Sequence, residues 1–310
     1  MQNIYVLIVT YNGMNWIETC LQSLIRSNIH LNLVVIDNNS SDDTSGAIKE
    51  NHPDITVIKQ KENLGFGAAN NIGMRYALSM NADAVFLLNQ DTKIDRDTVE
   101  KLLYLSDKFS DYGVLSPLQL DYSGQFLEEC FYYFVTNYPD NSFISDAILG
   151  RPLQEIYQVP FVQAASWFIP KRTLKIVGGF DPIFFHYGED DNYCQRVIYH
   201  GLKIGVTPLV RIQHDSTAQL STTKPLFSAE YFKDYELSIK LKYANVLLDY
   251  NYSDINLEIR RNLKSAIKSL IKLNMLHYKG YLKKIKILQK NQKKIMISRN
   301  ANILRNENYL

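Results

Sequence analysis

A chain of 310 residues, 46% of them apolar, is long enough for one large domain or for one domain with a substantial appendage, and it reads as globular rather than disordered. Three cysteines, Cys20, Cys130 and Cys194, are too few and too scattered for a disulfide framework or a zinc site. The net charge of +2 conceals an asymmetry: from Arg260 onward fourteen Lys and Arg face a single acid, Glu307, which leaves the upstream chain acidic.

The opening stretch MQNIYVLIVTYN has neither a basic flank nor a small-residue cleavage site, and no apolar run approaches the ~20 residues needed to cross a bilayer. The expectation is a reducing, cytosolic compartment and no membrane span. IYVLIVTY, LNLVVIDN, ITVIKQ and AVFLLNQD then read as short β-branched strands. They are separated by NWIETCLQSLIRSN, SDDTSGAIKENH and FGAANNIGMRYALSMN, whose apolar residues recur at helical spacing. Such alternation predicts an α/β fold, a mostly parallel sheet flanked by helices.

Ligands of such sheets bind beyond the carboxyl ends of the strands. Polar clusters fall at those ends: Thr10, Tyr11 and Asn12 after the first strand, and Asp37, Asn38, Asn39 and Ser40 after the second. Asn63 to Gly67 follow the third, and Asn89, Gln90 and Asp91 end the fourth, so all four clusters are expected on one edge. From Val114 to about Gln158 the pattern turns irregular and aromatic, with CFYYFVTNYPDNSF at its centre, which suits an insertion or a flap. A helix is predicted from Asp190 to His200, then a strand over KIGVTPLVRIQH, and beyond Phe227 the reading is helical.

Each polar cluster has a bland reading and a chemical one. DNNSSDDT is an ordinary helix start, yet Asp37 sits at the strand end, too early to cap well, where its carboxylate can accept hydrogen bonds from a ribose or a base. NLGFGAANNIG is incomplete as a dinucleotide fingerprint. Gly65 and Gly67 allow close backbone approach or a tight helix entry, and Asn70 and Asn71 could contact a ligand from that helix. Asp91 is either a turn aspartate or a hard oxygen ligand for a divalent cation that a nucleotide diphosphate would complete.

Glu189, Asp190 and Asp191 follow the aromatic run FDPIFFHY, and three adjacent acids there either begin a surface helix or work in a site. A carboxylate in apolar surroundings gains a raised pKa useful to a general base. His214 closes the late strand, either as a structural histidine or as a group available to a metal or a diphosphate. Trp167 and Phe168 fit a core more readily than a sugar platform.

Taken together, VTYN (Val9 to Asn12), VIDNNSSDDT (Val35 to Thr44), NLGFGAANNIG (Asn63 to Gly73), LLNQDT (Leu87 to Thr92), GGFDPIFFHYGEDDNYCQR (Gly178 to Arg196) and His214 resemble the family 2 inverting glycosyltransferases with the GT-A fold. Within them the chain is similar to the rhamnosyltransferase-like bacterial members that build O-antigen, capsule and other surface polysaccharides. The resemblance covers about residues 1 to 220. It implies a nucleotide diphosphate sugar donor, dTDP- or UDP-linked with dTDP-rhamnose the first trial, a glycan or lipid-linked acceptor, and Mg²⁺ or Mn²⁺ as cofactor. It also implies that Thr10, Tyr11 and Asp37 hold the nucleoside and that Asn70 or Asn71 lies near the nucleotide. Asn89 and Asp91 then stand for the first and last positions of a DxD metal motif, Asp190 for the base, and His214 for a metal or diphosphate contact. Where many relatives read EDVDLCLR this chain reads EDDNYCQR, with Asn192 replacing the second acid. That departure keeps open a catalytically impaired nucleotide-sugar binding or scaffold protein.

The implied organisation is a GT-A domain over 1–225, its nucleotide half at 1–113 and its acceptor half at 114–225, followed by a basic helical extension over 226–310. In that extension Leu263, Ile267, Leu270 and Ile271 recur at helical spacing among Lys264, Lys268 and Lys272. A solvated helix or a dimer contact accounts for this, and so does a peripheral contact with the anionic inner face of a membrane. No recognition motif accompanies the charge, so no nucleic-acid partner is expected.

Overall fold

The computed structural model describes residues 2–136, 138, 141–216 and 224–310. In chain order the elements are β1 (Ile4–Thr10), α1 (Ile17–Ile25), β2 (Asn32–Asp37), α2 (Thr44–Asn51), β3 (Thr56–Lys59), α3 (Phe66–Ser79), β4 (Ala84–Asn89) and β5 (Thr92–Ile94). Then come α4 (Thr98–Lys108), β6 (Tyr112–Asp121), α5 (Glu129–Thr136), α6 (Phe143–Ile148), β7 (Tyr157–Val159), β8 (Ser166–Pro170), α7 (Lys171–Val177), α8 (Glu189–Tyr199) and β9 (Lys203–His214). Three helices close the chain: α9 (Ala229–Tyr243), α10 (Tyr252–Ile271) and α11 (Met275–Asn302).

The strands form one sheet in the order β3-β2-β1-β4-β8-β6-β9-β5, with β7 paired to β9. Its first four strands are parallel, in register through Thr10↔Asp37, Val9↔Asn89 and Asp37↔Lys59. Beyond β4 the sheet is mixed, because β8 runs antiparallel to β4 and to β6. Side chains alternate across β1: Ile4, Val6 and Ile8 pack with α1 and α4 on one face, and Tyr5 and Leu7 pack with α3 on the other. Both faces are therefore buried, which is why these strands read as continuous apolar runs.

One reading of the sequence changes here and one holds. The region from Val114 is not irregular at its start, since β6 runs to Asp121 in the middle of the sheet. The strand signal is masked by Ser116, Pro117 and Gln119, and the sheet tolerates the proline at a register shift between Pro117 and Leu118. Trp167 and Phe168 are both fully buried, on opposite faces of β8, so they are core and offer no platform. The aromatic stretch 131–138, with residue 137 outside the described set, buries Phe131 and Val135 through α5 and leaves Tyr132 exposed.

The last three helices build a core of their own around Phe232, Ile239, Tyr243, Ile255, Leu288 and Ile295. Asn251 starts α10 with a capping box shared with Asp254. Among the described residues no helix is long and apolar enough to cross a membrane.

Candidate active site

The four strand ends do meet on one edge, and the sequence there is spent on holding the loops together. Thr10 is buried and donates its hydroxyl to Gln90 Oε1 at 2.5 Å, and the Tyr11 N–H reaches the same oxygen at 3.1 Å. Asn12 adopts φ 52° and accepts the Ser41 N–H at 2.8 Å, while its own N–H donates to Ser40 Oγ at 2.9 Å. The β1 and β2 loops are thereby fastened to each other. Tyr11 itself stays exposed, free to meet a ligand.

Asp37 is fully buried, and its carboxylate accepts the Ser40 N–H at 2.8 Å and the Ser45 hydroxyl in the first turn of α2, with Lys59 Nζ 3.8 Å away. Burial pushes its pKa up, but these bonds and Lys59 outweigh burial and leave it below the usual carboxylate range. As expected, Asp37 lies too early to cap α2, whose N-cap is Asp43, and it holds the first turn only through the Ser45 hydroxyl. Asn39 sits exposed at φ 70°. Asn38 Nδ2 donates to Asn63 Oδ1 at 3.0 Å, and Asn63 Oδ1 in turn accepts the Gly65 N–H at 2.9 Å, so the loop before α3 is tied to β2.

The two amides of α3 are not turned outward. Asn70 bonds the Phe66 carbonyl at 3.1 Å, and Asn71 grips the Phe180 backbone twice, through its N–H at 2.7 Å and its carbonyl at 2.8 Å. Both are buried. Gly65, at φ 81°, lies so close to the Phe185 carbonyl that a Cβ would overlap it, and a Cβ at Gly67 would press on Phe180 and Glu189. These glycines serve close packing of two loops, which brings the third strand end against the acidic segment.

Beyond β4, Asp91 Oδ1 is 3.4 Å from His214 Nε2, which is 3.4 Å from Asn89 Nδ2. The pairing Thr92↔His214 of β5 with β9 sets this geometry. Asp91 Oδ1 and His214 Nδ1 are buried without a hydrogen-bond partner. An acceptor left unpaired in this way is costly unless something fills the place. One carboxylate and one imidazole fit a divalent cation that takes its remaining ligands from phosphate oxygens and water. Among the described residues no group of three or more His, Cys, Asp or Glu is arranged to hold a metal by itself.

The three acids occupy the first turn of α8, after Gly188 in the left-handed region at φ 83°. Glu189 is 4% exposed, with Oε2 unpaired. Burial, reinforced by the Asp190 charge, raises Glu189 to about 7, and the same causes raise Asp191 to about 7. Burial also raises Asp190, opposed by N–H bonds from Asp191, at 2.9 Å, and from Ala164. The next residue, Ala165, accepts the Asn89 N–H at 2.9 Å. Consecutive residues of one segment thus link the acids to the end of β4.

Asn192, where the resemblance implies an acid, is buried and accepts Arg196 Nε at 3.1 Å. Arg196 also holds the carbonyls of Val177 and Gly179. The exchange of acid for amide therefore falls on an internal contact and leaves Glu189, Asp190 and Asp191 in place. Glu128 escaped the sequence reading: it is buried and joins Ser216 Oγ at 2.6 Å to Gln163 Nε2 at 2.7 Å. It connects the segment after His214 to the segment before Ala164. The sole sequence signal was an acid pair inside an aromatic run, FLEECF.

Residues 5–126 match the family model described as Glycosyl transferase family 2. Over 276 residues the chain is 24% identical to a protein of Shigella flexneri named dTDP-rhamnosyl transferase RfbF, covering 87% of this chain and 88% of that one. A second relative, N-acetylglucosaminyl-diphospho-decaprenol L-rhamnosyltransferase of Mycobacterium tuberculosis, is 25% identical over 236 residues, 67% of this chain and 75% of its own. Among solved structures, the mannosyltransferase PcManGT from Pyrobaculum calidifontis, in complex with GDP-Man and Mn²⁺, superposes with a TM-score of 0.54 at 18% identity. That likeness spans 97% of this chain and 73% of the other, and it shows the fold.

Proposed function

We propose, on the premise that residues 5–126 carry a Glycosyl transferase family 2 domain in a GT-A fold, that this protein is an inverting, metal-dependent hexosyltransferase. It moves a sugar from a dTDP- or UDP-linked donor, dTDP-rhamnose first among them, to a hydroxyl of a glycan or lipid-linked acceptor in surface polysaccharide synthesis. The rhamnosyl transferase relatives support that donor. The observation that carries the reading is the set of unpaired buried acceptors, Asp91 Oδ1 and Glu189 Oε2, on two segments joined through Ala164 and Ala165.

Residues 1–225 form the catalytic unit in this reading and 226–310 the helical extension. Tyr11 and the backbone of the loops at Asn12, Asn39 and Asn63 receive the nucleoside, with Thr10, Asp37 and Gln90 fixing those loops from inside and Asn71 tying α3 to the segment before α8. Asp91 and His214, beside Asn89, would hold Mg²⁺ or Mn²⁺. Such a cation, when bound, neutralises the charge that develops on the leaving diphosphate. Asp190 takes the proton of the acceptor hydroxyl as it attacks the anomeric carbon from the face opposite the leaving group, which gives inversion. Burial raises its pKa above the usual carboxylate range, which makes it a stronger base for that task.

Transfer assays with UDP-, dTDP- and GDP-sugars and Mg²⁺ or Mn²⁺ test the reading. Product from one donor, lost in both Asp91→Ala and Asp190→Ala with the fold retained, is expected. Transfer that survives both substitutions overturns this mechanism, and donor binding without any turnover favours a scaffold protein.

A location at the inner face of the membrane is part of this proposal. On α10 the strip Leu263, Ile267, Leu270 and Ile271 is exposed beside Lys264, Lys268 and Lys272, and the turn into α11 adds Leu273 at 84% exposure and Leu276. No acid lies between Glu258 and Glu307. Each Lys or Arg near an anionic leaflet contributes about 1 kcal/mol. Flotation with anionic vesicles is expected for the unmodified chain and not for Ile271→Asp combined with Leu273→Asp; equal flotation of both refutes the membrane contact.

A further inference from the structure

The helical extension is locked onto the acid-bearing helix at both of its ends. Before α8, Asp181 is buried and its Oδ2 accepts Asn302 Nδ2 at 2.7 Å and the Ser298 hydroxyl, both from the last turns of α11. Ile183 packs into the core of the three closing helices. Gly188, the residue that opens α8, has Leu237 and Leu241 of α9 so close that a Cβ there would be 2.9 Å from Leu237.

Residues 303–310 turn back on the same loop. The Gly179 N–H donates to the Asn308 carbonyl at 2.8 Å, a Cβ at Gly178 would overlap that carbonyl, and Leu310 packs against the core of the sheet domain. After α8, His200 Nε2 meets the Asn302 carbonyl at 3.1 Å, and Arg305 donates to the His200 carbonyl at 3.0 Å. Tyr309 completes the lock: its hydroxyl donates to Asn302 Oδ1 at 3.0 Å and its ring lies 5.6 Å from the Arg196 guanidinium. One residue, Asn302, thus joins all three: its side chain holds Asp181 in the loop before α8 and Tyr309 in the segment 303–310, and its backbone carbonyl meets His200 after the helix.

We propose that Asn302, with Asp181 and Tyr309, is a positioning residue for transfer: it sets where the first turn of α8, and so its acids, stands against the donor loops. The inference rests on the assignment of the base to α8. It assigns the extension a part in the chemistry beyond any part in location. Misplacement of a reacting group by about 1 Å costs on the order of a hundredfold in rate, so a shift smaller than the fold would notice is enough.

The test is an exchange of partners. Asn302→Asp sets two carboxylates against each other, whereas Asp181→Asn with Asn302→Asp restores one donor and one acceptor. Asn302→Asp is expected to lower kcat about tenfold or more with the donor KM within about twofold, and the double variant to recover most of it. Tyr309→Phe is expected to fall between the two. A control, Ile255→Val in the core of the extension, is compared at matched loss of Tm. A kcat loss no greater than the control's, an equal loss in kcat and KM, or no recovery in a folded double variant overturns the proposal while the unmodified enzyme still transfers. If the unmodified chain transfers nothing, the function reading fails, and amide exchange over 188–192 reads the positioning by itself. Faster exchange there in Asn302→Asp than in the control supports it, and equal exchange overturns it.

Discussion

The loops after β1, β2 and β3 and the segment around β4, β9 and the start of α8 treat their polar atoms in opposite ways. Around Thr10, Asp37, Asn38 and Asn63 the polar groups satisfy one another, through the Ser45 and Ser40 bonds to Asp37 and the Asn38–Asn63 pair. Around β4, β9 and α8, Asp91 Oδ1, His214 Nδ1 and Glu189 Oε2 lie buried and unpaired. The first region is built to hold a backbone shape, and its side chains have little left to offer a ligand. The second stores unmet charge and hydrogen-bonding capacity, which is the more expensive arrangement and the one that chemistry requires.

Breaking the second region should therefore cost activity, and breaking the first should cost stability. The largest expected effect is Asp190→Asn, which removes the proposed base and should lower kcat by about 10²–10⁴ with donor affinity kept, read by steady-state kinetics and donor calorimetry. Asp91→Ala should follow at about 10²–10³ in kcat, together with a higher metal concentration for half-maximal rate, read in a Mn²⁺ titration.

The acids also predict two opposed pH dependences. Transfer needs the proposed base, Asp190, ionised, and burial raises its pKa, so kcat/KM should fall with decreasing pH sooner than it would with an ordinary carboxylate as base. Stability runs the other way. Glu189 rises from 4.5 to about 7 on folding, so its contribution is full below pH 4.5 and is lost as pH climbs to about 7. Glu189→Gln should consequently gain Tm over the unmodified chain between pH 4.5 and 7 and level off above, in thermal scans across that window. The smallest expected effect is Asp37→Ala, at about 1–3 kcal/mol of stability from unsatisfied donors at Ser40 and Ser45, with kcat nearly unchanged in the folded fraction. A kcat loss for Asp37→Ala as deep as that for Asp190→Asn would erase the contrast between the regions.

Much of the edge was legible in the sequence because short continuous apolar, β-branched runs ending in Asn, Asp and Thr report both the strand and its end. The first turn of α8 was legible for a similar reason, three acids after an aromatic run. What the sequence hid were buried polar contacts whose partners are far along the chain. Asn71 looked like a ligand contact and holds Phe180, 109 positions away. Asn302 gave no signal, since its partner Asp181 is 121 positions away. Strand β6 was hidden by its own buried Gln119 and Pro117, which break the apolar pattern that identifies strands. The closing helices were legible as helices, but their grip on α8 depends on glycines at 178, 179 and 188, whose lack of a side chain says nothing about what fills the space.

Gly65 carries a consequence for redesign. Because its α carbon rests against the Phe185 carbonyl, the loop that follows β3 and the aromatic loop that precedes the acids share one surface. A change of donor preference made by grafting residues 63–67 from another transferase would move residues 184–188 as well. The graft would have to carry both segments, and a library varying one alone would be enriched in misfolded members rather than in new specificities.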